Sequence, residues 1–231
     1  MARKVPSVGR PLDAGTLPGM PVTADEFRGR LAGLGERAGM GQVFGLSKEL
    51  MDMAPDEIER LLESPDHLSR VGAVSVMDWQ ARSKRTTDDR RRELFELYLR
   101  RHDLIDTWDL VDRSAIWVVG EYLVDRPREV LDRLASSERP MERRTAILGT
   151  FAFIRRGEVD DALRIAERLV DDPETLVQKA VGWLLREVGK KDPARHRTFL
   201  DRHARTMPRV MLRYAIEKLP PDRRQHYMGL A

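Results

Sequence analysis

The sequence predicts an all-α fold, an α-solenoid of HEAT-like helical pairs. Three observations predict it. Strand signals are nearly absent: no Asn-Gly or Asp-Gly hairpin turn occurs, and runs of β-branched residues are few. Helix starts recur along the chain. A small residue followed by Val or Ile repeats inside apolar helical patterns, at Ala73-Val74, Ala115-Ile116, Ala146-Ile147, Ala180-Val181 and Ala215-Ile216, with intervals of 42, 31, 34 and 35 residues. Two amphipathic helices per unit at such a period mark a helical solenoid, because one pair cannot bury its apolar face alone. An ordinary helical bundle with coincidental Ala-Val pairs is the alternative.

Residues 1–20 hold Pro6, Pro11, Pro18 and three glycines without a hydrophobic period, which predicts a flexible tail. From Thr23 the pattern is helical almost to the end, so residues 21–231 are expected to form one repeat domain. Ala54-Pro55-Asp56-Glu57 opens a segment with Ile58, Leu61 and Leu62 at i, i+3, i+4. Proline in a first turn forfeits no hydrogen bond, and acidic residues there suit the helix dipole. Pro127-Arg128-Glu129 and Pro173-Glu174 repeat the device, while Gly157 and Gly189 mark stops. The first helices of the pairs are expected over Asp56–Glu63, Arg128–Ser136, Asp160–Val170 and Ala194–Ala204, each preceding a helix that carries the Ala-Val or Ala-Ile step.

Composition narrows the function. The 231 residues include no cysteine, which removes disulfides, thiolate metal sites and cysteine nucleophiles. No apolar run approaches the roughly 20 residues needed to cross a bilayer, and the basic start Met1-Ala-Arg-Lys4 lacks the apolar segment of a signal peptide. A cytoplasmic protein without a membrane partner is expected. The net charge of +3 conceals a division: residues 139–231 carry 20 Lys+Arg against 13 Asp+Glu, and residues 1–138 carry 21 against 25. The C-terminal part is basic, which fits an anionic partner.

Numbered from its alanine, each second helix places Val71, Arg113, Arg144, Gln178 and Arg213 two positions before it, and Arg70, Asp112, Arg143, Val177 and Leu212 three before. Arginines at one angular position make a stripe suited to phosphates; a plain solvated face is the alternative. Trp108 and Asp112 are four apart and share a helix face. The bland reading packs Trp108 in the core and lets Asp112 cap the next helix. Trp79 and Trp117 lie in apolar patterns and read as core. The five histidines form no HExxH spacing, no GxxxxGK loop occurs, and no catalytic lysine stands out.

Trp108-Asp-Leu-Val-Asp112, Arg144-Thr-Ala-Ile-Leu148 and Gln178-Lys-Ala-Val-Gly-Trp183-Leu-Leu-Arg-Glu187 resemble, in order and separation, three signature segments of the DNA alkylation repair family, the AlkD-type DNA glycosylases. Val43-Phe44-Gly45-Leu46 is similar to that family's early Phe-Gly turn. The resemblance covers roughly residues 40–205. It implies a C-shaped solenoid whose concave basic groove holds duplex DNA containing alkylated bases, and excision of cationic N3- and N7-alkylpurines without swinging the base into a protein pocket. It also implies roles: Asp112 matches the catalytic aspartate, Trp108 and Trp183 the two tryptophans against the deoxyribose, and Arg144 the arginine on the backbone. Thr107 stands where the family often has a second aromatic.

The chemistry follows from the residue types. A purine alkylated at N3 or N7 is already a cation, so its departure needs no general acid, unlike ordinary glycoside hydrolysis with its two carboxylates. One anion under the developing oxocarbenium-like sugar, able to orient or deprotonate water, suffices, and aromatic faces favour the cation. Asp112, Trp108, Trp183 and Arg144 are therefore the expected catalytic set, with Arg113, Arg143, Lys179 and Arg213 on the DNA. Neither a metal nor a cofactor is implied, and a monomer is expected. A non-catalytic nucleic-acid-binding module and a protein scaffold are the competing readings.

Overall fold

The structure, a computed structural model, describes residues 21–35 and 38–230. The tail expected over 1–20 lies outside them. Every regular element among the described residues is helical: α1 Ala24–Gly33, α2 Met40–Glu49, α3 Pro55–Leu62, α4 His67–Arg82, α5 Asp88–Arg100, α6 Trp108–Ser114, α7 Glu129–Ala135, α8 Pro140–Gly149, α9 Phe151–Ile154, α10 Asp160–Arg168, α11 Thr175–Lys191, α12 Pro193–His203, α13 Arg209–Ala215 and α14 Pro221–Leu230. None of the described helices is long and apolar enough to cross a membrane.

The helices start where side chains satisfy their first N–H groups. Thr23, Asp66, Thr87 and Asp192 each accept a backbone N–H from the first turn. Pro55 opens α3 as expected, and Pro140, Pro193 and Pro221 do the same for later helices. Pro127 and Pro173 sit one step outside, before the cap residues Arg128 and Glu174. Gly157 ends a helix at φ 88°. Gly189 does not: it lies inside α11, where His196 Nδ1 would stand 2.5 Å from an added Cβ. The residue is small because α12 packs against it, not because the helix stops. Phe44-Gly45, expected in a turn, lies within α2.

The repeat alanines lie inside the packing. Ala73, Ala115, Ala146, Ala180 and Ala215 are all buried. Their helices touch in succession: α4 on α6, α6 on α8, α8 on α11, and α11 on α13. The other row supports them, with α3 on α4, α7 on α8, and α10 and α12 on α11. The long interval between Ala73 and Ala115 is filled by α5 and a 3-10 turn, His102–Leu104, which supply the missing first helix of that pair. An apolar core runs through the contacts from Ala24 to Tyr227.

After α6 the helix changes geometry. Ser114 Oγ bonds back to the Leu110 carbonyl at 2.7 Å, and residues Ala115–Gly120 continue as a π-helical stretch, with Glu121 N–H donating to the Ile116 carbonyl at 2.9 Å. Gly120 ends it against α8: an added Cβ would lie 2.2 Å from the Gly149 carbonyl oxygen. A buried hydroxyl network backs the same junction. Thr145 Oγ1 lies 3.0 Å from the Tyr98 hydroxyl and 2.8 Å from His102 Nε2. Burial pushes the Tyr98 phenol up and the His102 imidazole down.

Two substitutions probe this packing. Gly120→Ala meets backbone that cannot yield and is expected to cost about 1–3 kcal/mol in denaturant unfolding. Gly29→Ala, in the exposed interior of α1 with nothing within 4 Å, is expected to gain about 0.5–1 kcal/mol. Burial pushes the His196 imidazole down to about 4 from 6.5. The unfolded chain then takes up a proton that the fold resists. Stability is whole above pH 6.5 and falls by about 3 kcal/mol as pH drops toward 4. Unfolding followed against pH should show this fall, shallower in His196→Leu.

Candidate active site

Four helices of the Ala-Val row meet around an open cavity of about 380 Å³. Helix α6 and the stretch after it supply Trp108, Asp112 and Ile116, each four residues from the last. Helix α8 supplies Arg144 and Leu148, α11 supplies Leu176, Lys179, Ala180 and Trp183, and α13 supplies Tyr214. Trp108 opens α6 and is 51% exposed, so it is not a core residue. Asp112 lies within α6 and caps nothing.

Asp112 and Arg144 are joined as a two-pronged ion pair. Arg144 Nε donates to one carboxylate oxygen and Nη2 to the other, both at 2.8 Å, while Nη1 donates to the Leu176 carbonyl of α11. The guanidinium is buried, with 8% of its side chain exposed, whereas 38% of the Asp112 side chain opens on the cavity. Arg144 is thus turned to Asp112 and the Leu176 carbonyl, bonds that occupy three of its five N–H donors. Each Asp112 oxygen retains lone-pair capacity after accepting one N–H.

The aromatic walls are braced from behind. Trp183 packs on Phe151, ring centroids 5.0 Å apart. Tyr214, 37% exposed, reaches the cavity because Gly182 lets α13 close on α11: an added Cβ would lie 2.4 Å from the Met211 carbonyl oxygen and 2.6 Å from Tyr214 Cβ. Neither Phe151 nor Tyr214 is legible as a site residue, although Tyr214 follows the stripe position Arg213 directly. The approach to Trp108 is tied to α4, with Arg70 donating to Asp106 Oδ1 at 2.8 Å and His67 Nε2 lying 2.8 Å from Asp109 Oδ2. Partial burial pushes the Asp109 carboxyl up, but hydrogen bonds from Thr107 and His67 outweigh it and hold it below its ordinary range.

The expected arginine stripe does not form as a row of free cations. Arg113 turns to the fully buried Asp78, 3.1 Å away, donates to Ser75 Oγ at 3.0 Å, and stacks over Phe44 and Trp79. Burial pushes the Asp78 carboxyl up, against the pull of Arg113 and Arg82. Arg143 grips Asp172 with two donors and the carbonyls of Ser137 and Glu138. Both arginines are ties between helices, because each reaches a buried carboxylate that would otherwise be unpaired. Lys179 and Arg213 make no ion pair among the described residues. Lys179 lines the cavity and Arg213 is exposed on α13. Trp79 and Trp117, expected in the core, are half-buried beneath cations instead. No three His, Cys, Asp or Glu side chains among the described residues are grouped to hold a metal.

The pairing energy of Asp112 and Arg144 is measurable. A double-mutant cycle with Asp112→Asn and Arg144→Met, read by denaturant unfolding, should give a coupling of about 0.5–3 kcal/mol.

Known proteins share this architecture. A family model described as "DNA alkylation repair enzyme" matches residues 40–219, extending past the segment at 40–205 that the motifs cover. A solved structure from Enterococcus faecalis, described as a "Predicted DNA alkylation repair enzyme", has the same fold, with a TM-score of 0.63 at 16% identity over 87% of this chain and 99% of that one. No curated protein matches the chain. With the family model spanning most of its length, the chain belongs to the DNA alkylation repair enzyme family.

Proposed function

We propose that this protein is a monofunctional DNA glycosylase that hydrolyses the N-glycosidic bond of cationic N3- and N7-alkylated purines in duplex DNA and leaves an abasic site. In this reading the two helical rows form a C-shaped HEAT-like solenoid, and the cavity faces duplex DNA in its concave groove. The observation that carries it is Asp112, a carboxylate held by a buried guanidinium fork and open to a cavity walled by Trp108, Trp183 and Tyr214.

The chemistry needs that arrangement and little more. The C1′–N bond breaks with its electron pair going to the base, which turns from cation to neutral leaving group, and the sugar becomes oxocarbenium-like. Asp112 lies where it can stabilise that charge and take a proton from the water that attacks C1′. Arg144 fixes the carboxylate's rotamer, so little reorganisation accompanies the charge change. Tryptophan and tyrosine faces present negative quadrupoles to the cation. Lys179 and Arg213 are left to meet phosphates on either side of the lesion.

The competing reading is that Asp112–Arg144 merely ties α6 to α8 in a non-catalytic DNA-binding module. Duplexes bearing 7-methylguanine or 3-methyladenine separate the two. The wild type should release the base, and Asp112→Asn should release it about 10²–10³-fold more slowly while still binding the duplex. Full activity in Asp112→Asn would remove its proposed role, and no release by the wild type would favour the binding module.

A further inference from the structure

The two tryptophan walls of the cavity are supported unequally. Trp183 is half-buried, packs against the core and rests on Phe151. Trp108 is 51% exposed and lies outside the core cluster. Among the described residues no aromatic ring stacks on it and no cation lies over it. Packing therefore does not fix where its indole stands. It is the first residue of α6, so its place depends on how the chain enters that helix.

The entry is held from one side, by α4. Arg70 Nη1 donates to the Leu104 carbonyl at 3.3 Å and to Asp106 Oδ1 at 2.8 Å. Asp109 completes the hold. Its Oδ1 accepts from the Thr107 hydroxyl at 2.7 Å, and its Oδ2 lies 2.8 Å from His67 Nε2. Thr107 precedes α6 but does not cap it, because its hydroxyl is spent on Asp109. Partial burial of Asp109 is outweighed by these bonds, so it is a carboxylate at neutral pH. An ionised carboxylate only accepts, so His67 Nε2 carries the proton and donates. The residues on both sides of Trp108 are thus fastened, while the indole itself is not.

His67 and Arg70 are three apart on the first turn of α4 and share a face. Helix α4 is itself firmly seated, with most of its residues from Val71 to Ala81 buried, and it lends no side chain to the cavity lining. Helix α6 is therefore fixed twice: to α8 through Asp112 and to α4 through Asp109. The His67 side chain is 40% exposed, and a hydrogen bond so open to solvent adds little to global stability. Its loss is felt at the first turn of α6.

We infer that His67 is a positioning residue for Trp108: acting through Asp109, beside Arg70 on Asp106, it holds the first turn of α6 so that the indole stands as a wall of the cavity. The inference rests on the reading that this cavity receives the lesion's sugar, and it deepens that reading by placing a determinant of its geometry on a helix that does not line it.

The test uses the full chain grown with 5-fluorotryptophan, whose four tryptophans give four fluorine resonances. Trp108 is assigned by the signal lost in Trp108→Phe. In His67→Ala the Trp108 resonance is expected to shift or broaden while the other three stay in place. In His67→Gln, where a side-chain amide can donate to the same oxygen, it is expected to stay near its original position. Single-turnover release of 7-methylguanine from duplex DNA should slow about tenfold in His67→Ala with duplex affinity nearly unchanged, and no further when Trp108→Ala is already present. An unmoved Trp108 resonance, a shift of all four, an equal disturbance in His67→Gln, an unchanged rate beside a shifted resonance, or a full additional loss in the Trp108→Ala background would overturn the inference. The resonances need no base release. A selective Trp108 shift in a protein that releases no base would uphold the His67 tie and sink the glycosylase.

Discussion

The structure turns on one ion pair, the fork between Arg144 of α8 and Asp112 of α6. A guanidinium with 8% of its side chain exposed cannot be left without a counter-charge, and it finds one carboxylate and one carbonyl, from two different helices. Three consecutive helices of the row are thereby held in register at the point where the cavity opens. The same contact presents the carboxylate to solvent with its rotamer chosen. Stability and the proposed chemistry thus draw on one geometry, and the small residues around it, Gly120 against Gly149 and Gly182 against Tyr214, set how closely the helices approach.

Charge in this protein is largely consumed by the fold. Asp78, Asp172, Asp132 and Asp161 each take arginines from a neighbouring helix. A balance of +3 is therefore compatible with a binder of polyanions, because cations without partners can be concentrated in one place. Lys179 lines the cavity and Arg213 is exposed next to Tyr214, neither in an ion pair among the described residues. Arg113, of the expected stripe, and Arg143, also expected on the DNA, are turned to Asp78 and Asp172.

The helical pairs are legible because close packing leaves a mark: a buried alanine beside a β-branched residue at each crossing. Trp108, Asp112, Arg144 and Trp183 are legible through spacing and family resemblance, and the fold brings all four to one cavity. Other features leave no such mark. The π-helical stretch Ala115–Gly120 has the apolar composition of an α-helix, and a π turn takes an extra residue, so positions counted along that helix do not align with its neighbours. Asp112, three before its alanine, faces Arg144, two before its own, so the two partners do not share one counted position. Trp79 and Trp117 read as core because most of the cations over them, Lys48 and Arg113 for Trp79 and Arg82 and Arg155 for Trp117, come from distant parts of the chain. Tyr214 depends on Gly182 of another helix, a contact that no local pattern records.

In the proposed reaction the Arg144-held Asp112 is the group that meets the developing sugar cation. A crystal structure of the protein on a duplex whose lesion nucleotide is replaced by a cationic pyrrolidine analogue of the sugar tests this at the atoms concerned. One Asp112 oxygen is expected within hydrogen-bond distance of the pyrrolidine nitrogen, with the Arg144 fork intact behind it and Trp108 and Trp183 flanking the ring. A pyrrolidine bound away from Asp112, or a carboxylate still facing only Arg144 with the analogue elsewhere in the groove, would contradict it.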